Sequence, residues 1–373
     1  MNIRMQPLLL LTAVLLQTDL SIGSAPLPQA QVSVGGSWLS FGCRTLDSIE
    51  GYTVNPTNMV LSKYGGWKAR QVAATGFFRV EKIDGRWWAV DPEGYLYIHK
   101  APNSIHLDDF TADEIYQLLP QYGFNGAGSW TDDALFGSPL KEQAPLAYCP
   151  KISFIALYRR DRNPRIEMPV FDAAFETYCN QKAQEFSVYV NDPHVFGYFS
   201  DNELPWRDEG LPAHLDINDP ADANYATAVA FLADRGKTPS NWNTDDQNEY
   251  MAVMAERYYS VVSAAIKNVD PNHMYIGSRC HSTEKTIQAF MENAGKYVDL
   301  FTMNHYHRWG ARQVEIANMA EWSGRPLMVT EFYAMQLLTG DEFGAGWRVQ
   351  DQPSRGLFYQ NYVSTLAETK NVV

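Results

Sequence analysis

Gly197–Trp206 reads GYFSDNELPW. An aromatic run, Phe196–Phe199, passes directly into Asp201, Asn202 and Glu203. A short apolar run bounded by polar residues has the length of a buried strand rather than of a helix. The same pattern recurs at Pro326–Ala334, PLMVTEFYA, where Leu327–Thr330 run straight into Glu331 and then Phe332 and Tyr333. Each stretch puts a glutamate at the carboxyl end of a buried strand, among aromatics. Burying a carboxylate without a partner is costly, so these two positions call for a reason.

Outward from these stretches, short apolar runs alternate with helical patterns. The expected strands are Tyr95–Ala101, Asn125–Trp130, Ile152–Leu157, Val195–Asp201, Met274–Ser278, Leu300–His305 and Leu327–Thr330. The clearest helix covers about Asp246–Asn268, with Met251, Met254, Ala255, Tyr258, Val262 and Ile266 on one face. Alternation of this kind predicts an α/β fold with a parallel sheet. Seven strands point to a (β/α)8 TIM barrel rather than an open doubly wound sheet. No Gly-x-Gly-x-x-Gly follows a strand, which argues against a dinucleotide cofactor. Arg355–Lys370 reads as the seventh barrel helix, and Asn371-Val372-Val373 fall where an eighth strand would begin. The expectation is therefore a barrel that lacks strand eight, unless the strand count is off by one.

Before the barrel, Gly76–Ile98 reads GFFRVEKIDGRWWAVDPEGYLYI. Asp84-Gly85 between two aromatic, β-prone runs is a strong hairpin signal. This predicts a small antiparallel β element, preceded by an extended lead-in rich in Gly, Ser, Pro and Asn. Residues 26–94 thus form the N-terminal element and 95–373 the catalytic barrel. The longest irregular stretch, about Arg207–Asp246, follows the fourth strand and is expected as a loop at the mouth of a site.

The 373 residues contain 30 Lys plus Arg against 43 Asp plus Glu, a net charge of −13. A nucleic-acid partner would call for a basic excess and is excluded on that ground. Met1–Ala25 carries Arg4, an apolar core at Leu8–Leu16, and small residues at Gly23 and Ala25. That is the pattern of a cleavable secretory signal peptide, with an apolar run too short to span a membrane. The expectation is a secreted or periplasmic protein with no membrane insertion after cleavage. Cys43, Cys149, Cys179 and Cys280 would then meet an oxidising compartment, where they either form disulfides of undetermined pairing or stay buried as thiols.

Barrel enzymes do their chemistry at the carboxyl ends of the strands. Two carboxylates facing one cleft suit glycoside hydrolysis: one protonates the leaving oxygen, the other attacks the anomeric carbon or activates water. Tryptophan and tyrosine faces suit the C–H faces of sugars. Other strand-end residues join the candidate site: Asn103, Trp130, Trp206, Arg279, His281, Asn304, His305 and Tyr306. Arg279, His281, His307 and Arg308 are expected to form a basic corner that contacts sulfate or carboxylate. His305-x-His307 with His281 resembles metal-ligand spacing, but no Asp or Cys completes a set, so no metal is expected.

Asn202-Glu203 after strand four and Glu331 after strand seven resemble the retaining clan A glycoside hydrolases. The resemblance implies that Glu203 is the acid/base, Glu331 the nucleophile, Asn202 a contact to the sugar 2-hydroxyl and Tyr306 a residue that positions the nucleophile. The longer strings TGFFRVEKIDGRWWAVDPEGYLYI, Asp201–Glu203, TEFY at Thr330–Tyr333 and RGLFYQNY at Arg355–Tyr362 are similar to β-agarases, glycoside hydrolase family 50, from about Asn55 onward. This implies hydrolysis of β-1,4-galactosidic bonds in an agar-like polysaccharide, with retention, by carboxyl groups about 5–5.5 Å apart. It also implies a chain that continues past Val373 into a strand bearing an aromatic platform. Two other readings fit the same residues: an inactive fragment or sugar-binding protein, and a β-galactosidase or sulfated-galactan hydrolase of the same clan.

Overall fold

A computed structural model describes residues 26–49, 59–337 and 344–373. The proposed leader at 1–25 lies outside the described residues. The fold is mixed α/β, and its parallel pairings run in chain order. Residues 98–104 lie against 125–129 through Asn125 N–H to Lys100 O, Gly128 N–H to Pro102 O and Ser104 N–H to Ser129 O. Gly126–Ala127 pairs with Ala147–Tyr148. Tyr148 bridges Val195, and Lys151–Ile152 pairs with Gly197–Ser200. Gly197–Ser200 then pairs with Met274–Tyr275, Cys280 bridges Met303, and Phe301–Asn304 pairs with Leu327–Glu331. Finally Leu327 bridges Val372 in parallel. A backbone this closely spaced leaves no room at some positions: a Cβ on Gly128 would fall 2.1 Å from Asn103 Oδ1.

The expected strands match these pairings except the first and the third. Of the first, Tyr95–Tyr97 belongs to the antiparallel N-terminal sheet, pairing with Ala89–Val90, and only the residues after it run along 125–129. The third lies at Ala147–Ile152, and Phe154–Asp161 is a helix. Pro150 breaks the apolar run, and the FIALY that looked like strand carries aromatic and aliphatic groups at helical spacing, with Phe154, Ile155 and Tyr158 buried. The long helix is Thr244–Val269, started by a capping box between Asn243 and Asp246. The stretch expected as an irregular mouth contains two helices, Leu211–Asp216 and the Ala-rich Ala223–Ala233. The final helix covers Gln352–Glu368.

Arg79–Ile83 and Arg86–Val90 form the expected hairpin, with Asp84 and Gly85 both at positive φ. The lead-in differs from expectation. Gln29–Val34 and Ser37–Gly42 form a second hairpin closed by Gly35-Gly36, also both at positive φ. It joins Ala334–Gln336 and Trp347–Val349 in one sheet and buries Ala30 and Val32. Arg44 N–H to Asn361 Oδ1 and Trp309 Nε1–H to Gly42 O fix it on the main body.

All four cysteines are buried free thiols. Burial pushes the Cys43 thiol up to about 11 and Cys149 to about 12, so they pack as neutral apolar groups. Among the described residues no helix is long and apolar enough to cross a membrane.

Candidate active site

Non-glycine residues at positive φ are uncommon, because Cβ crowds the backbone there. Six of the nine among the described residues gather beyond one end of the parallel strands: Ser104, Trp130, Asp201, Glu203, Arg279 and His307. Strain of this sort persists only where surrounding structure holds it, and it concentrates at functional sites.

Glu331 sits at a register shift. Met303 pairs with Val329 but Asn304 pairs with Glu331, so Thr330 is the extra residue of a bulge. Bulges re-aim side chains beside active sites. Both Glu331 oxygens accept hydrogen bonds: Oε1 from the Arg279 guanidinium and Oε2 from Tyr306 O–H at 2.5 Å. The Arg279 side chain is fully buried. It rests against the rings of Phe199 and Trp130, at 5.4 and 5.6 Å.

Glu203 has different company. Its Oε1 accepts from Asn304 Nδ2 at 2.6 Å, a neutral amide. Asn304 Oδ1 in turn accepts from Thr330 Oγ1 at 2.7 Å, which ties the two glutamate-bearing strand ends together. Beneath Glu203, the buried Asp201 carboxyl accepts from Tyr258 O–H at 2.7 Å and Ile155 N–H at 2.9 Å. Burial outweighs those bonds and pushes it up to about 7.

The structure brings together most of the candidate residues. Asn103 Nδ2 donates to Thr330 O, beside Glu331. Asn202 Oδ1 is buried and makes no hydrogen bond, leaving an acceptor next to Glu203. Trp130 is 47% exposed. Lys151, which the sequence reading passed over, holds its ammonium 3.5 Å from the Trp130 ring centroid. Its only signal was position, directly before Ile152 at the end of the true third strand. A cavity of about 1200 Å³ runs from Asn103, Phe199, Tyr306 and Glu331 along Thr330–Ala334 toward Val373.

Two candidates stand elsewhere. Trp206 is 1% exposed, packed on Tyr258, Tyr259 and Phe290, so a sugar cannot stack on it. His305 is buried against Tyr362, its Nδ1 bonded to Tyr362 O–H and its Nε2 3.7 Å from Glu315. Its side chain supports the site from behind, and only its backbone N–H reaches Glu331, at the carbonyl oxygen. The expected basic corner is also not assembled. Arg279 pairs with Glu331 and Arg308 with Glu315, while His281 and His307 are exposed. Among the described residues no group of three or more His, Cys, Asp or Glu is placed to hold a metal ion.

These features define a class: an α/β protein with two glutamates at adjoining strand ends, one held by a buried guanidinium and a phenol, the other by an amide. Comparison with known proteins gives the neighbours of this chain. No family model matches it. It is 21% identical to Beta-agarase B of Vibrio sp. (strain JT0107) over 82% of its length, and spans 44% of that protein, less than half. The solved structure of BpGH50 superposes with a TM-score of 0.85 at 27% identity, covering 94% of this chain and 89% of that one. The agarase AgWH50C superposes with a TM-score of 0.61 at 20% identity, over 84% of this chain and 58% of its own.

Proposed function

We propose that this chain is a glycoside hydrolase of the retaining clan A type that cleaves β-galactosidic bonds in an agarose-like polysaccharide. The observation that carries the reading is the asymmetry of the two glutamates. Glu331 accepts from a cation and a phenol at its two oxygens, which fixes the carboxyl group in one orientation for attack. Glu203 accepts a single bond, from a neutral amide at Oε1, which leaves Oε2 to face the glycosidic oxygen. The likeness to β-agarases and to BpGH50 supports the substrate class.

In the proposed reaction, Glu331 attacks the anomeric carbon while Glu203 gives its proton to the glycosidic oxygen, and the leaving sugar departs with that proton. Glu203, now a carboxylate, takes a proton from water. The resulting hydroxide displaces Glu331 from the anomeric carbon, and two inversions give retention. Arg279 and Tyr306 hold Glu331 in line. Asn304 orients Glu203, and Asn202 Oδ1 is an acceptor for the sugar 2-hydroxyl. Trp130, half exposed and carrying the Lys151 ammonium on its ring, contacts the sugar at the edge of the site.

On this reading the parallel pairings from residue 98 to Val372 belong to a (β/α)8 barrel with the site at its carboxyl-end face. The sequence of Met1–Ala25 supports export to the periplasm or medium, checked by N-terminal sequencing of the mature protein. The activity test is hydrolysis of agarose oligosaccharides by the protein beside a Glu331→Ala variant. Sugar release by the first and none by the second supports the proposal. Equal release by both, or none by a folded wild type, overturns it.

A further inference from the structure

Two cations of the site are left with few hydrogen-bond partners. Lys151 is half-buried, yet its ammonium makes no hydrogen bond and no ion pair among the described residues; only the Trp130 face holds it. Arg279 is fully buried and gives Nη2 to Glu331, but its Nε and Nη1 donate to nothing. Buried donors are ordinarily bonded, and each one left unmade carries a desolvation cost. Both cations share one aromatic ring and repel each other. Burial first, and then Arg279, pull the Lys151 ammonium down to about 8, with Asp201 and Glu331 opposing. The ring they share is strained and half exposed, with φ +65°. A sugar bound beside Trp130 brings its substituents to the ammonium.

We infer that Lys151 with Trp130, backed by Arg279, forms a subsite for an anionic substituent, a sulfate ester or carboxylate, on a sugar ring of the substrate. The inference rests on the hydrolase reading for the sugar but not for the anion. An anion there supplies the acceptor that Lys151 lacks and relieves the repulsion between the two cations. Charge-assisted bonds of this kind are the strong ones.

The test is calorimetric binding of three galactan tetrasaccharides on the same backbone: neutral, 6-sulfated and 6-carboxylated. Each is titrated into the intact protein, Lys151→Gln and Lys151→Arg, with circular dichroism confirming the fold. The subsite predicts that wild type prefers at least one anionic sugar over the neutral one by about ten-fold or more. Lys151→Gln should erase that preference, and Lys151→Arg should keep most of it. Which anion is preferred separates sulfate from carboxylate. Equal binding of all three sugars, or a preference that survives Lys151→Gln, overturns the inference. Hydrolysis of the neutral sugar without anion preference would leave the catalytic reading standing and remove this one. Anion-selective binding without hydrolysis would do the reverse.

Discussion

Asp201 and Asp270 are both buried aspartates that accept a tyrosine hydroxyl at 2.7 Å, yet they answer to different demands. Asp270 lies at the amino end of a strand. It accepts from Tyr198 O–H, from His273 Nδ1 at 2.6 Å, and from the backbone N–H groups of Asn272 and His273. Burial pushes its carboxyl up, but His273 and Tyr198 override it and hold it well below the ordinary range. Asp201 lies at the carboxyl end, strained at φ +60°, with no ion-pair partner, and there burial wins. The buried cations of that end are engaged elsewhere, Arg279 with Glu331 and Lys285 with the backbone oxygens of His281 and Asn304. Unbonded buried atoms occur at both ends: Ser129 Oγ, Thr131 Oγ1, Asn202 Oδ1 and two nitrogens of Arg279 lie beyond strand ends on the carboxyl side, and both ring nitrogens of His194 lie just before a strand on the amino side. The difference between the two aspartates is therefore one of partners: Asp270 is met by a histidine, a tyrosine and two backbone N–H groups, while the carboxyl end holds Asp201 without a cation and leaves acceptors and strain available to a ligand.

This contrast predicts that substitutions at the two ends fail in different ways. The largest effect is expected for Glu331→Gln, which should lower turnover by about four orders of magnitude with the melting temperature little changed. Steady-state kinetics beside thermal unfolding would show it, and a large loss of stability with retained turnover would break the division. Arg279→Met removes the group that holds Glu331 and should cost roughly 10²–10³ in kcat. Asp270→Ala, at the other end, should cost about 3–5 kcal/mol of stability, because it strips a buried polar network of its acceptor. Its turnover per folded molecule should match wild type.

The subtlest effect concerns pH. The Asp201 carboxyl titrates near 3.8 when unfolded and at about 7 when folded, so between those values the native state binds more protons. Its contribution is greatest below the unfolded value and is lost as pH rises toward 7. Asp201→Asn should flatten that decline in urea titrations between about pH 4 and 7. His99 sets the opposite flank: burial pulls its imidazole down from 6.5 to about 4. Its contribution is lost as pH falls through that range, and the slope below pH 6 should persist in Asp201→Asn. An unchanged pH profile would contradict the account of Asp201.

Much of the carboxyl end was legible in the sequence because a charged residue directly after an apolar run has few places to go. That reading reached Asn202, Glu203 and Glu331, and by strand position Asn304 and Tyr306. It misjudged residues whose direction depends on packing. Trp206 and His305 are near the site in sequence, but one fills the space between helices and the other faces Tyr362. Arg279 was read as a strand-end residue of a basic corner for a substrate anion, since nothing local says that a guanidinium will be enclosed and paired with Glu331. Lys151 was passed over because Pro150 disguised the third strand, shifting the expected strand end into a helix. The Gln29–Gly42 hairpin had its signal in Gly35-Gly36, but alternation there is weak, and its partner strand is more than 300 residues away.

The central claim is that Glu331 forms the covalent bond and Glu203 handles the proton. The most direct measurement is trapping with a slow-deglycosylating 2-fluoro-galactosyl substrate, followed by peptide mapping by mass spectrometry. The account predicts one sugar per protein on the peptide containing Glu331, and no label in Glu331→Gln. Label on Glu203, or hydrolysis that proceeds with inversion and leaves no adduct, would contradict it.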